Sequence, residues 1–236
     1  MSAVAANLHG VGVQSGVLAA TAAAAGIGVS PAGAGPAPRA VALFASTDRA
    51  GLTARIVRGF HGRGDVTGRT PEVAVRSAVA ATATTLSLAT ATAWSIDCAA
   101  LVCDALEGRQ MIAAEKRADV ELALHEAVAN AVIHGNLAIG SSFGTTAESF
   151  DAFCGRVTER MADPAYGARR ITIAIVREGG RLDLRVTDEG VGYDPATLVA
   201  RAEDAKSGRG LEIMRAMAGA LAVEDGGRTL VLSFEL

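Results

Sequence analysis

The sequence predicts an α+β fold, a two-layer sandwich with helices on one face of a mixed, mostly antiparallel sheet. Two observations point to hairpins: "ITIAIV" and "RLDLRV" alternate in polarity around "REGG", and "LAVED" and "RTLVLSFEL" flank Gly226 and Gly227. A third is the order of elements. Helical periods with their own start and stop signals alternate with these strand pairs, the pattern of helices laid on one face of a sheet.

From the N-terminus, residues 1–40 are rich in Ala, Gly and Val, hold no acidic residue and reach their first Lys or Arg at Arg39. A secretory signal would begin with a basic region, so this stretch reads as a flexible leader. Residues 41–81 form a small extension of unknown role. They have a strand-like start and a Gly-rich break that suggest half of a βα unit such as a reduced receiver domain, with Asp48 as its one candidate acid. The segment from Ser77 to Ile96 is twenty residues without a charge, the length of a membrane span, but its five threonines, three serines and Ala/Thr centre disfavour insertion.

An orderly domain is expected over residues 82–236. "TTLSLAT" alternates as a half-buried strand. "SIDCAALVCDALEG" is a helix with Asp97 near its start and Gly108 after its end, and Ala118 to His134 is a second helix stopped by Gly135. "ESFDAFCGRVTERM" is a third, ended before Pro164, which a helix interior does not accommodate. After the first hairpin and a polar stretch, "GLEIMRAMAG" is a short helix leading to the last hairpin. Cys98 and Cys103 are expected in the core or on helix faces, and Trp94 in the core.

Composition limits the functions. A chain of 236 residues that is half hydrophobic suits one domain with an extension. A net charge of -3 provides no broad field for nucleic acid or anionic lipid. Three cysteines without a C-x-x-C pair suit neither a disulfide framework nor a thiolate zinc site, and a reducing cytoplasm is expected.

The chemistry concentrates in three segments. In "ELALHEAVANAVIHGN", residues 121–136, Val120, Leu124, Ala127, Val128, Ala131 and Val132 fall on one helical arc that should face the sheet. Glu126, Asn130 and His134 form a separate stripe at fourth-residue spacing, bordered by Leu122 and Ile133. A carboxylate and an amide oxygen one turn apart beside a core can hold a hard cation and a hydroxyl between them, although such a pair also serves simply to solvate a helix. "HEAVA" is not a zinc-protease motif, since Ala129 stands where the second histidine is required. "RVTDEGVGYDP" puts Asp188 at a strand end, where a carboxylate accepts from an exocyclic amino group, with Gly190 and Gly192 letting a flat base approach the backbone. "KSGRGLEIM" places Gly208 and Gly210 at a helix N-terminus, which suits phosphate.

In order and spacing these segments resemble the N box, G1 box and G2 box of the GHKL (Bergerat) ATP-binding superfamily. The stretch "EAVANAVIHGN" is most similar to bacterial anti-sigma-factor serine kinases. The resemblance covers residues 82–236 and implies the Bergerat type of two-layer sandwich, with ATP and magnesium as ligands. It implies that Asn130 coordinates magnesium and that Glu126 takes a proton from an acceptor serine. Asp188 would read adenine, with Gly190 and Gly192 turning around the base and Thr229 supporting it. Gly208 and Gly210 would face the phosphates, and Lys206 and Arg209 are rivals for reaching the γ-phosphate. Residues 137–170 depart from the smallest relatives by their length, as an extra helix covering the sheet or a partner-docking element.

The leading expectation is a serine/threonine kinase that phosphorylates a small anti-sigma-factor antagonist protein, holds a sigma factor in a partner-switching system and forms a homodimer, without direct contact with nucleic acid or membrane. One alternative is a nucleotide-regulated binding module with little catalysis. Another is the catalytic part of a histidine kinase, for which His9 and His61, both beside glycine, are poor phosphate acceptors.

Overall fold

The computed structural model describes residues 7–11, 13–30, 40–44, 62–65, 84–140, 146–192 and 209–236. Nine described strands form one sheet: β1 (Asn7–Val11), β2 (Gly28–Val29), β3 (Ala40–Phe44), β4 (Gly62–Asp65), β5 (Thr84–Ala89), β6 (Arg170–Glu178), β7 (Arg181–Thr187), β8 (Ala220–Glu224) and β9 (Thr229–Glu235). Their order is β2-β1-β3-β4-β5-β6-β7-β9-β8. From β2 to β5 neighbours are parallel, and from β5 to β8 they are antiparallel. β5 is the strand where the sheet changes sense.

The described helices are α1 (Ser15–Ala25), α2 (Thr90–Ser95), α3 (Cys98–Gly108), α4 (Ala114–Asn130), α5 (Ala147–Ala162), α6 (Pro164–Gly167) and α7 (Arg209–Met217). Local chemistry sets their ends. Asp97 caps α3 by accepting from the Ala100 N–H at 3.0 Å, and Thr146 caps α5 by accepting from Ser149 at 3.2 Å. Asp163 accepts from Ala165 at 2.8 Å while Pro164 opens α6, so the Pro expected to stop α5 also starts the next turn. In the first hairpin Gly179 and Gly180 have φ of 56° and 87°, the left-handed pair that suits a two-residue turn between twisted strands.

The main core lies between the antiparallel part of the sheet and the helices. Leu88, Ile171, Ile173, Leu182, Leu184 and Leu232 from the sheet meet Leu106, Val120, Leu124 and Met214 from the helices. All six residues of the expected arc are buried, Val120, Leu124, Ala127 and Val128 on α4 and Ala131 and Val132 just beyond it. Burial of such side chains contributes ~1.5–3 kcal/mol each before chain entropy is counted.

Several expectations change. The leader expected over residues 1–40 contains β1, α1 and β2 among its described residues, with Leu8 and Ala22 buried together. An Ala-rich run is a strong helix former, and Gly26, at φ 71°, ends it by donating to the Ala22 and Ala23 carbonyls. The boundary expected near residue 82 is crossed by the sheet, because β4 pairs with β5. Asp48 lies outside the described residues. Trp94 is half exposed on α2 rather than in the core, because Thr90, Thr92 and Ala93 form the inward side of that short helix. Cys98 and Cys103 are buried as expected. Residues 137–170 supply α5 and α6, which pack on α2 and each other rather than across the sheet. Among the described residues no helix is long and apolar enough to cross a membrane.

Candidate nucleotide-binding site

Helix α4 starts four residues earlier than its period suggested and does not stop at Gly135. It passes at Asn130 into a π-helical turn, Ala131–Asn136, closed by Leu137 N–H donating to the Val132 carbonyl at 2.9 Å. Wide turns of this kind recur at functional sites. Gly135, read from sequence as a stop signal, lies inside this one.

At the α4 end of the site, Glu126 and Asn130 are half-buried and stand one turn apart. Both face the first turn of α7: a Cβ placed on Gly210 would lie 2.8 Å from Glu126 Oε2 and 3.7 Å from Asn130 Nδ2. The structure therefore brings Glu126, Asn130 and Gly210 together. His134, third in the stripe, is exposed, and its Nδ1 lies 2.6 Å from the Ile139 carbonyl, a helix-end contact.

At the other end Asp188 follows β7. Its N–H donates to the Arg228 carbonyl at 3.0 Å, fixing it beside β9, and its Oδ1 accepts from Gly190 N–H at 2.7 Å. Among the described residues nothing donates to Oδ2. Burial pushes the carboxyl up to about 6, against the opposing pull of the Gly190 amide, Arg228 and Arg169. A half-buried carboxylate with one oxygen held and one available fits an exocyclic amino donor.

Glycines are required around it. A Cβ on Gly135 would lie 2.5 Å from Asp188 Oδ2, and one on Gly190 would lie 2.5 Å from the Gly135 carbonyl. Gly192 has φ 76°, and a Cβ there would collide with the Gly226 carbonyl. Thr229 pairs across the sheet with Thr187, whose hydroxyl is 2.9 Å from its own, and donates to Asp225 Oδ2 at 2.6 Å. Thr229 is thus beside the strand end that carries Asp188. Lys206, Gly208 and the polar stretch from Pro195 to Lys206 lie outside the described residues, and Arg209 is the residue at which α7 begins.

Sequence reasoning missed Asn136, whose side chain is fully buried and hydrogen-bonded to three other segments. It also missed the use of the inserted segment. Arg160 of α5 donates to the carbonyls of Leu137 and Ala138, and Arg169 donates to that of Asn136 at 2.7 Å, so two guanidinium groups stacked on Tyr166 hold the chain leaving the π turn. An adjacent Gly-Asn at a helix end was the available signal, but it also describes an ordinary C-cap.

Among the described residues no group of three or more His, Cys, Asp or Glu side chains could hold a metal by itself. An ion at Asn130 would need oxygens from a bound nucleotide, the usual arrangement for magnesium.

An α+β sandwich with Glu and Asn facing a glycine helix start, and a strand-end Asp ringed by glycines, defines an ATP-binding domain of the GHKL type. Residues 88–234 match the family described as a histidine kinase-like ATPase domain, and the chain belongs to it. No curated protein matches the chain.

Proposed function

We propose that this chain is an ATP-dependent serine/threonine protein kinase of the anti-sigma-factor type, acting on a small antagonist protein. The observation that carries the reading is the convergence of Glu126 and Asn130 on Gly210 at the first turn of α7. Phosphoryl transfer depends chiefly on positioning and charge neutralisation. Bound magnesium-ATP would supply the phosphoryl group and the divalent charge. Asn130 would hold the ion, α7 would present backbone N–H groups to the phosphates, and Asp188 would fix the base. Glu126, half-buried one turn from Asn130, would orient the acceptor hydroxyl and take its proton. Lys206 and Arg209 are the proposed cationic partners of the phosphates. Antagonist, sigma factor and second copy are the proposed partners.

The test is magnesium-ATP calorimetry on the intact protein, Asp188→Asn and Glu126→Gln, followed by phosphate transfer to candidate antagonist proteins. A general base contributes ~10²–10⁴-fold, so Glu126→Gln should bind ATP and lose transfer by that factor. Asp188→Asn should lose both. Transfer that survives Glu126→Gln would overturn the kinase assignment of that residue; intact protein that binds ATP and transfers to no antagonist would favour a nucleotide-regulated binding module.

A further inference from the structure

Asn136 has no solvent exposure, and its side chain makes three hydrogen bonds to residues distant in sequence. Its Nδ2 donates to Thr90 Oγ1 at 2.8 Å and to the Arg170 carbonyl at 3.0 Å, while its Oδ1 accepts from the Glu189 N–H at 2.7 Å. The partners close a ring. Thr90 Oγ1 donates to the Arg169 carbonyl at 2.9 Å, and Glu189 accepts on Oε2 from the Arg170 N–H at 2.9 Å. One amide therefore joins the π turn, the start of α2, the start of β6 and the peptide directly after Asp188.

Asn136, Thr90 and Arg170 are buried while Glu189 is exposed, so the network constrains geometry from its inner end, where losing one member leaves buried polar partners without water. Glu189 lies between Asp188 and Gly190, whose N–H holds Asp188 Oδ1. The Gly135 carbonyl, one residue before Asn136, is the surface against which Gly190 rests. We infer that Asn136 is the positioning residue that holds the base-reading loop at Asp188 in register with the helix carrying Glu126 and Asn130. It acts through Glu189 and Asp188 and does not touch nucleotide. The inference rests on the ATP-binding reading and extends it to how the base is selected.

The distinguishing readout is base discrimination. Adenine offers an amino donor where guanine offers a carbonyl oxygen, so a well-placed Asp188 carboxylate favours ATP over GTP. A residue that only supported the fold would lower the melting temperature and leave that ratio unchanged in the folded protein. Magnesium-ATP and magnesium-GTP affinities are measured for the full chain and for Asn136→Ala, with circular dichroism reporting the folded fraction. The expected result is a folded variant whose ATP:GTP preference falls by ~10- to 100-fold, the loss of about one charge-assisted hydrogen bond.

An unchanged ratio with a lowered melting temperature would overturn the inference and leave ATP binding standing. A wild-type chain without preference for ATP would overturn the reading of Asp188 itself, and the inference with it. Should Asn136→Ala fail to fold, Thr90→Val decides the matter. It removes one of the three ties of the Asn136 amide at nearly constant volume, and a drop of ~3- to 10-fold in the ratio is expected; no drop would overturn the inference.

Discussion

Gly135→Ala isolates the contact on which the site turns. Gly135 has helical rather than left-handed backbone, so alanine is sterically allowed by the main chain and, by helix propensity alone, would stabilise it by ~1 kcal/mol. The obstacle is Asp188. The new Cβ would lie 2.5 Å from Oδ2 and 2.7 Å from Oδ1, so the carboxylate must retreat by on the order of 1 Å. Overpacking of this kind costs ~1–3 kcal/mol, which the propensity gain offsets in part, leaving a net loss of ~0–2 kcal/mol and a melting temperature lowered by up to ~8 °C. Binding should suffer far more. Displacing the carboxylate from the adenine amino group proposed as its partner would remove a charge-assisted hydrogen bond of ~1.5–3 kcal/mol, or ~10- to 150-fold in magnesium-ATP affinity. Calorimetry and a thermal scan on the same sample measure both. Gly155→Ala in α5, where nothing lies within 4 Å of the added methyl, is the control and should bind ATP normally with slightly raised stability. A Gly135→Ala protein that binds ATP as tightly as the wild type and melts higher would refute the reasoning.

The Asp188 carboxyl, raised to about 6 in the fold against ~3.9 unfolded, favours the folded state when protonated, so its contribution is whole below the unfolded value and lost as pH rises through about 6. Two pH units correspond to ~3 kcal/mol at most, and solvent screening of a half-exposed group reduces this to ~1–2 kcal/mol. Asp188→Asn should therefore gain on the wild type by that amount between pH 4 and pH 8 in urea denaturation; a pH-independent difference would contradict it. Gly192→Ala should destabilise by at least ~2 kcal/mol in the same assay, since it combines a left-handed φ with a collision at the Gly226 carbonyl, and a neutral outcome would argue against that close approach. Burial pushes the Cys98 and Cys103 thiols up to about 12, whereas Cys154 is exposed, so a thiol-specific disulfide reagent should label one cysteine in native protein and three after denaturation. Rapid labelling of more than one would place Cys98 or Cys103 outside the core.

What could be read from the sequence was local. Asp97 is a helix start and Gly179-Gly180 a tight turn because the groups they satisfy are within a few residues, and the arc from Val120 to Val132 follows from helical period alone. The pairing of Asp188 with the glycines after it was legible for the same reason. The role of Asn136 was not, since its three partners lie 34 to 53 residues away and appear only when β6 and the loop after β7 are packed against α4. Gly135 illustrates the ambiguity: a glycine after a helical run fits a stop as well as a close approach, and only the position of Asp188 separates the two. The first thirty residues misled by composition. Ala, Gly and Val without charge leave no polar side to reveal a period, although such a run readily forms a helix once Leu8 is available to cover Ala22.

The π turn gives α4 two rotational phases. Up to Asn130 each azimuth is dictated by the apolar arc lying on the sheet; beyond it the wider winding resets the direction in which Gly135 and Asn136 emerge. Chain length within a helix thereby acts as an angular adjustment between the Glu126–Asn130 end of the site and the Asp188 end. Were residues 131–136 to wind as ordinary α-helix at unchanged length, Gly135 would turn by on the order of 90° relative to Asn130, whereas removing one residue from 131–134 would compensate and leave its direction nearly unchanged. Ordinary winding at the same chain length would preserve both halves of the site while aiming them in different directions.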